Sequence, residues 1–137
     1  MLFRSVAPGR RMASSMTPVI MEDAAGRLAF VCGSPGGPRI VSTVAQVILG
    51  VFDDGLGVQE AAARPRVHHQ WLPDVLFAEA GVPEATLDAL RTTGWTVEAT
   101  DRFGAANCVR VLTRPDGTRA LTASADPRRS DDSARGF

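Results

Sequence analysis

The sequence lacks a charge imbalance, a long apolar run and a cysteine-rich pattern. Its 15 basic residues balance 15 acidic ones, so no net charge attracts nucleic acid or an anionic membrane surface. The longest apolar run, residues 44–52, is broken by Gln46 and Gly50 and falls short of the roughly 20 residues that span a bilayer. Cys32 and Cys108 have no CxxC spacing, which favours two buried thiols over a metal site or a disulfide scaffold.

What the sequence does contain is typical of one compact domain, with 45% hydrophobic and 22% charged residues in 137. In chain order, apolar periodicity and turn residues predict strands at 19–21 and 28–31, helices at 38–52 and 58–63, a strand at 75–79, a helix at 83–90, a strand at 96–99 and a hairpin of 108–112 with 119–123. Residues 65–73 are expected to be an extended connection with Trp71 packed beneath it. Because hairpins dominate the strands, the expected fold class is α+β or a layered α/β sandwich, with a mostly antiparallel sheet covered by helices.

Two short loops flank the first predicted hairpin, and antiparallel pairing brings them to the same end of the sheet. Residues 14–18, Ser-Ser-Met-Thr-Pro, enter its first strand, and residues 33–37, Gly-Ser-Pro-Gly-Gly, leave its second. Gly36 and Gly37 precede the predicted helix, where a tetrahedral oxyanion can approach the main chain closely and the helix N-terminus favours negative charge. The loops therefore supply half of an acyl-transfer site, with hydroxyl groups and N–H donors but no nucleophile.

Each loop also has a structural interpretation. Ser14 and Ser15 either hydrogen-bond a carboxylate or cap local backbone groups, and residues 33–37 would also serve as a tight turn between a strand and a helix. Ser34 is not the nucleophile of an α/β-hydrolase, because the GxSxG pattern needs glycine where this chain has Cys32. The residues alone thus leave the enzyme hypothesis weak.

The remaining polar clusters favour structural roles. His68 and His69 are neighbours on an extended stretch, so their side chains point to opposite sides and are poorly placed to share a metal ion. Asp53 and Asp54 lack the further ligand spacing of a calcium loop. Residues 126–129, Asp-Pro-Arg-Arg, predict a salt-bridged turn on the solvated surface. No metal site is predicted.

Four motifs carry a more specific signal. They are PGRRMASSMTP at residues 8–18, GSPGGPRI at 33–40, RPRVHHQWLPD at 64–74 and ADPRR at 125–129. In these motifs, their order and their approximate spacing, the chain from Pro8 onward resembles the distal part of the small subunit of γ-glutamyltransferases, also called γ-glutamyl transpeptidases or glutathione hydrolases. The resemblance implies part of the αββα sandwich of an N-terminal nucleophile hydrolase.

The resemblance also implies roles for the two loops. In that family, self-cleavage exposes an N-terminal threonine that attacks the γ-glutamyl amide of glutathione, with its own amine as the base. The family's serine pair, which holds the α-carboxylate of the γ-glutamyl group, maps onto Ser14 and Ser15. The family's oxyanion-binding glycine pair maps onto Gly36 and Gly37, and loss of one such donor costs about 2.7–4 kcal/mol of transition-state stabilisation. No cofactor is implied.

The resemblance implies partners as well. They are glutathione or another γ-glutamyl compound, the remainder of the small subunit, and the large subunit. The family suggests a periplasmic or extracellular parent, although residues 1–11 lack the apolar core of a secretory signal.

Some family features fall outside the matched region. The nucleophilic threonine and the residues that hold the substrate's α-amino group precede it, and Thr17 belongs to the serine-pair motif and does not replace that threonine. Residues 1–7 are expected to be a non-native or disordered start, and residues 8–137 a partial small-subunit domain that is inactive alone. Two alternatives stay open: a non-catalytic γ-glutamyl-binding or partner-interaction module, and a split enzyme with its remainder on another polypeptide. A fragment of this kind would expose sheet edges that are prone to association.

Overall fold

Residues 8–9, 16–130 and 133–134 are described by a computed structural model of the chain. The strands are β1 (Val19–Glu22), β2 (Leu28–Gly33), β3 (Val67–His68), β4 (Leu76–Glu79), β5 (Val97–Thr100), β6 (Asn107–Thr113) and β7 (Arg119–Ser124). The α-helices are α1 (Ile40–Phe52), α2 (Val58–Ala63) and α3 (Glu84–Thr92), and a single 3-10 turn, Gly37–Arg39, leads into α1. None of the helices in these described residues is long and apolar enough to cross a membrane.

The larger sheet is antiparallel throughout, in the order β1-β2-β6-β7. Side chains alternate between the two faces of a strand, so each strand buries one set of residues against the helices. The core beneath α1 and α2 contains Phe30, Cys32 and Cys108 from the sheet, Ile40, Val44, Val47 and Val51 from α1, and Val58 and Ala61 from α2. The periodic apolar face of α1 therefore holds that helix, and the loop before it, against the end of β2.

The opposite side of the larger sheet, which we call the open face, carries one apolar residue from each strand in a single cross-strand row. Ile20 pairs with Val31, Val31 with Val109, and Val109 with Ala123. Ile20 is 72% exposed, and Leu121, two residues from Ala123 on β7, is 70% exposed. The described residues thus leave much of this apolar face exposed to solvent, although Ser133 and Ala134 line a cavity with Val31, Val109 and Ala123.

The smaller sheet has the order β3-β4-β5. β3 and β4 are antiparallel, whereas β4 and β5 are parallel and joined through α3, because parallel neighbours need a crossover connection. Leu76, Ala78 and Leu87 form its core.

The structure confirms the predicted order of strands and helices and corrects two details. The stretch 65–73 contains a short paired strand, β3, rather than only an extended connection. The expectation that Trp71 packs beneath that stretch is wrong, since Trp71 has a φ of 72° and is 77% exposed. Trp95 contacts the stretch instead. Its ring lies edge-on to the His69 ring, with 5.0 Å between the two ring centroids.

Candidate functional site

Gly36 and Gly37, the glycine pair, form the link between β2 and the turn that leads into α1. Their φ angles are 141° and 57°, a left-handed region that side chains with a Cβ disfavour. Both glycines are exposed. The backbone bends sharply here because residues without a Cβ allow it, and the bend presents main-chain groups to solvent.

Hydrogen bonds hold the carbonyl groups of this loop. The Ser34 hydroxyl donates to the Pro35 carbonyl at 2.7 Å, and the Arg39 N–H donates to the Gly36 carbonyl at 3.2 Å. Among the described residues, neither the Gly36 nor the Gly37 N–H donates to a backbone carbonyl outside the regular elements. The loop therefore offers N–H donors while its carbonyls are occupied, as an anion-binding loop requires.

The serine-pair loop is described only in part. Ser14 and Ser15 lie outside the described residues, so their predicted role stays a prediction. The described part, residues 16–18, leads into β1, and Val19 pairs with Cys32. The chain before β1 and the chain after β2 thus leave the same end of the sheet, as the sequence predicts.

A second loop, residues 103–106, packs directly behind the glycine pair. The Ala105 N–H donates to the Ser34 hydroxyl oxygen at 3.0 Å. Gly104 has a φ of +69°, and a Cβ built there would lie 2.6 Å from Thr43 Oγ1 and 3.0 Å from Ser34 Oγ. The loop needs glycine at this position both for its backbone conformation and for its close contact with α1 and Ser34.

Four buried charged residues, Arg66, Glu79, Asp126 and Arg128, form what we call the charge cluster. Arg66 pairs with Asp126 at 2.5 Å, and Arg128 pairs with Glu79 and, at 3.1 Å, with Asp126. Each of these side chains is at most 3% exposed. Buried charges persist only when they are paired and hydrogen-bonded, a condition that these pairs satisfy.

The charge cluster also fixes the loop at residues 103–106. The Phe103 N–H donates to Glu79 Oε1 and the Ala106 N–H donates to Asp126 Oδ2, both at 2.7 Å. Arg66 donates to the Phe103 carbonyl at 2.9 Å. The cluster is thereby connected to Ser34 through this loop.

The contacts within the charge cluster determine the pKa values of its carboxyl and guanidinium groups. Burial opposes ionisation of Asp126, but the Ala106 amide and the Arg66 guanidinium outweigh it and hold the pKa of Asp126 below its usual value. Burial likewise opposes ionisation of Glu79, and Arg128 and the Phe103 amide lower its pKa despite it. Burial lowers the pKa of Arg66. The carboxylates and guanidinium groups balance in charge.

The charge cluster corrects one prediction from the sequence. Residues 126–129 do form a salt-bridged turn, but Asp126 and Arg128 are buried rather than on the solvated surface. The turn is buried because its ionic partners, Arg66 and Glu79, lie directly before β3 and at the end of β4. The available signal was that Arg66 and Asp126 both belong to motifs with the family's order and spacing.

The two histidines bind different neighbours. His68 is buried and contacts Ser42 Oγ at 2.7 Å through Nδ1 and Gln70 Oε1 at 3.1 Å through Nε2. His69 contacts Asp74 at 3.1 Å and accepts from the Trp71 N–H at 3.2 Å. Among the residues that the structure describes, no group of three His, Cys, Asp or Glu side chains is placed to hold a metal ion.

The cysteines are two buried free thiols, as predicted. Cys32 and Cys108 are paired residues on β2 and β6, with their sulfur atoms 3.1 Å apart. The facing Cys108 sulfur and burial raise the pKa of the Cys32 thiol. Cys32 is therefore not a candidate nucleophile.

Comparisons with known proteins agree on one family. A family profile described as gamma-glutamyltranspeptidase matches residues 3–136. The chain is 41% identical over 134 residues to the glutathione hydrolase proenzyme of Escherichia coli K12, covering 97% of this chain and 22% of that protein. It is 38% identical over 129 residues to the glutathione hydrolase proenzyme of Pseudomonas aeruginosa, covering 90% of this chain and 22% of that protein.

Solved structures show the same likeness. The crystal structure of a mutant Helicobacter pylori γ-glutamyltranspeptidase superimposes with a TM-score of 0.84 at 38% identity, covering 90% of this chain and 66% of that chain. The expected fold, part of an N-terminal nucleophile hydrolase sandwich, is confirmed by this likeness and by the antiparallel sheet with covering helices. The chain spans about a fifth of the length of the curated relatives described above.

Proposed function

This chain belongs to the gamma-glutamyltranspeptidase family, and from that membership we propose that it supplies the oxyanion-binding and α-carboxylate-binding loops of a γ-glutamyl transferase or hydrolase. The substrates would be glutathione and related γ-glutamyl amides. The observation that carries the proposal is the glycine pair, which combines left-handed backbone, solvent exposure and carbonyl groups held by Ser34 and Arg39.

In the proposed reaction, a threonine from the part of the relatives that this chain does not span attacks the γ-carbonyl carbon of the substrate. The carbonyl π electrons move to oxygen, and the N–H groups of Gly36 and Gly37 donate to the resulting oxyanion. The α-amine of the threonine takes the hydroxyl proton during the attack and gives it to the leaving nitrogen, so that cleavage of the C–N bond releases the amine and leaves a γ-glutamyl ester on the threonine. Water or an acceptor amine then attacks that ester through a second oxyanion at the same donors.

Ser14 and Ser15 would bind the substrate's α-carboxylate. Serine hydroxyl groups donate well to carboxylates, and a hydrogen bond to a charged group contributes about 1.5–3 kcal/mol. Support comes from the neighbouring described residues, because the loop that ends at Pro18 leaves the sheet beside the strand end that leads to the glycine pair.

The open face supports the proposal that this chain is completed by the remainder of a small subunit and by a large subunit. In a layered sandwich an apolar sheet face is buried against a second sheet. Ile20, Val31, Val109 and Ala123 form such a face here, and no second sheet of the described residues packs on it, although Ser133 and Ala134 line a cavity with Val31, Val109 and Ala123. Contiguous exposed apolar residues of this kind mark an interaction surface.

A chimeric enzyme tests the proposed function. Residues 3–136 of this chain replace the matching segment of the Escherichia coli glutathione hydrolase proenzyme. We expect the chimera to mature and to hydrolyse a γ-glutamyl anilide, whereas the 137-residue chain alone does not. A chimera that folds and matures but does not hydrolyse the anilide would contradict the proposal.

Substitutions in the chimera test the carboxylate-binding role. Ser14→Ala and Ser15→Ala should each raise KM for the anilide about tenfold or more, since each removes a hydrogen bond to a charged group. The exposed Ser130→Ala is the matched control and should leave KM unchanged. Calorimetry of the unfused chain with glutamate tests the binding-module alternative, which would be favoured by binding that Ser14→Ala and Ser15→Ala abolish.

A further inference from the structure

We propose that Ser34 is a positioning residue whose hydroxyl group orients the Gly36 N–H toward the oxyanion. The inference rests on the proposed function, because it concerns the direction of one of the two donors that the function requires. Ser34 was excluded above as a nucleophile, and its contacts give it a different role. It holds a carbonyl rather than attacking one.

The direction of the Gly36 N–H follows from the geometry of a single peptide unit. In a planar trans peptide the C=O and the following N–H point in opposite directions. The Pro35 carbonyl and the Gly36 N–H belong to one such unit, and within the described residues the only cis peptide bond is that between Leu72 and Pro73. The Ser34 hydroxyl holds the Pro35 carbonyl at 2.7 Å, so the Gly36 N–H must point away from Ser34.

Two hydrogen bonds fix the Ser34 hydroxyl group itself. Its oxygen accepts from the Ala105 N–H at 3.0 Å, and this orients its proton toward the Pro35 carbonyl. Ala105 is 2% exposed, and the amides of Phe103, two residues before it, and Ala106, directly after it, donate to carboxylates of the charge cluster. The hydroxyl therefore bridges a rigid buried loop and an exposed one.

The directions of the Gly36 and Gly37 N–H groups depend on different hydrogen bonds. The Gly37 N–H shares its peptide unit with the Gly36 carbonyl, which accepts from the Arg39 N–H at 3.2 Å. That bond belongs to the turn leading into α1 and does not involve Ser34. Loss of the Ser34 hydroxyl should thus release one donor and leave the other in place.

Glycine makes the hydroxyl necessary. A residue without a Cβ offers little steric resistance when the planar peptide unit before it turns as a whole, through the ψ angle of Pro35 and the φ angle of Gly36. With the hydroxyl absent, the unit between Pro35 and Gly36 can turn its carbonyl toward the position of the oxyanion. A fixed donor needs no reorganisation during the reaction, and a rotating one does.

The geometric test uses the 137-residue chain labelled with ¹⁵N. In Ser34→Ala we expect the residual dipolar coupling of the Gly36 N–H to change, the Gly37 coupling to persist, and the Ala105 amide to exchange about tenfold faster, since it loses its acceptor. Ser42→Ala is the matched control, because it removes another hydroxyl with a 2.7 Å contact, to His68, from the first turn of α1. An unchanged Gly36 coupling in folded Ser34→Ala would overturn the proposal.

The catalytic test uses the chimera. Ser34→Ala should lower kcat about tenfold or more and change KM less than about threefold, because the oxyanion exists only in the transition state and intermediate. Affinity for a γ-glutamyl boronic acid, which imitates the tetrahedral intermediate, should fall in parallel, and affinity for glutamate should not. Ser34→Thr, which keeps the hydroxyl, should restore kcat.

The outcomes separate the two proposals. A chimera with Ser34 that matures but lacks turnover would sink the proposed function, and the dipolar couplings would still decide the role of Ser34. An active chimera in which Ser34→Ala keeps its kcat would overturn the positioning role while the proposed function stands. Equal losses of kcat in Ser34→Ala and Ser42→Ala would also overturn it, since general destabilisation would then explain both.

Discussion

Gly104 is the residue at which the packing behind the glycine pair is tightest. Gly104→Ala would combine a left-handed backbone with a Cβ 2.6 Å from Thr43 Oγ1, so we expect the free energy of unfolding to fall by about 2–3 kcal/mol in urea titrations. Gly117 is the matched control, because its φ is +82° but a Cβ there meets nothing within 4 Å. Gly117→Ala should lower it by only about 1 kcal/mol. Equal losses of unfolding free energy in Gly104→Ala and Gly117→Ala would contradict the close contact between Gly104 and Thr43.

The two thiols give a second prediction for single residues. Cys32 and Cys108 are 2% and 3% exposed, so an aromatic disulfide reagent at neutral pH should label neither thiol in the folded chain and both in urea. The labelling rate should follow the unfolding rate. Rapid labelling of the folded chain would show that β2 and β6 separate at this pair. The sequence predicted this burial correctly, because Cys32 ends the apolar run 29–31 and Cys108 adjoins the strand pattern 109–111.

Ser34 marks the limit of prediction from the sequence at this scale. The Gly-Ser-Pro-Gly-Gly stretch predicts a tight turn with exposed N–H groups, but its residues do not show which group holds which carbonyl. That depends on Ala105, which is 71 residues away in the chain. A contact across such a distance leaves no local periodicity.

At the scale of elements, the charge cluster connects the residue before β3, the end of β4 and the turn after β7. Glu79 and Asp126 have pKa values below the ordinary 4.5 and 3.8, so their stabilising contribution is complete above those values and is lost as the pH falls through the lower values of the folded state. We therefore expect the free energy of unfolding to be level from about pH 7 to about pH 5 and to fall steadily below that. Urea titrations across this range measure it.

The substitution Glu79→Gln tests whether the charge cluster causes the fall in the free energy of unfolding at acid pH. Glu79→Gln leaves the charge cluster with two guanidinium groups and only one carboxylate, Asp126, and this uncompensated buried charge should lower the free energy of unfolding near neutral pH by about 3–5 kcal/mol, while making the fall below about pH 5 shallower. Glu98→Gln, on the exposed surface of β5, is the control and should leave the profile unchanged. An acid profile as steep in Glu79→Gln as in the unsubstituted chain would contradict this origin.

The elements themselves were largely predictable, and their buried ionic contacts were not. The 3.6-residue apolar period of α1 and the alternation in β2 act over a few neighbouring residues, which is why their order was correct. Arg66 pairs with Asp126 across 60 residues, and Arg128 with Glu79 across 49. Sequence periodicity therefore placed Asp126 on the surface, where most charged turn residues lie.

At the scale of the whole molecule, hairpins predicted an antiparallel sheet under helices, but the layered sandwich came from the family resemblance. Local patterns do not determine what covers the second face of a sheet. The open face shows this limit, because β1, β2 and β6 carry apolar side chains on both faces of the sheet. Two apolar faces predict burial of both, but among the described residues helices cover only one, while Ser133 and Ala134 lie beside the other.

The open face gives the last prediction. Ile20 and Leu121 are 72% and 70% exposed, so the 137-residue chain should associate with itself at micromolar concentration in sedimentation experiments. Ile20→Lys with Leu121→Lys should shift it toward monomer with little change in unfolding, because both side chains are already in water. In the chimera the same pair should prevent maturation or activity, because it places charges where the second layer packs. Val41→Lys, at a 55% exposed position on α1, is the control for added charge. If the control disperses the chain equally, net charge rather than the open face drives the association.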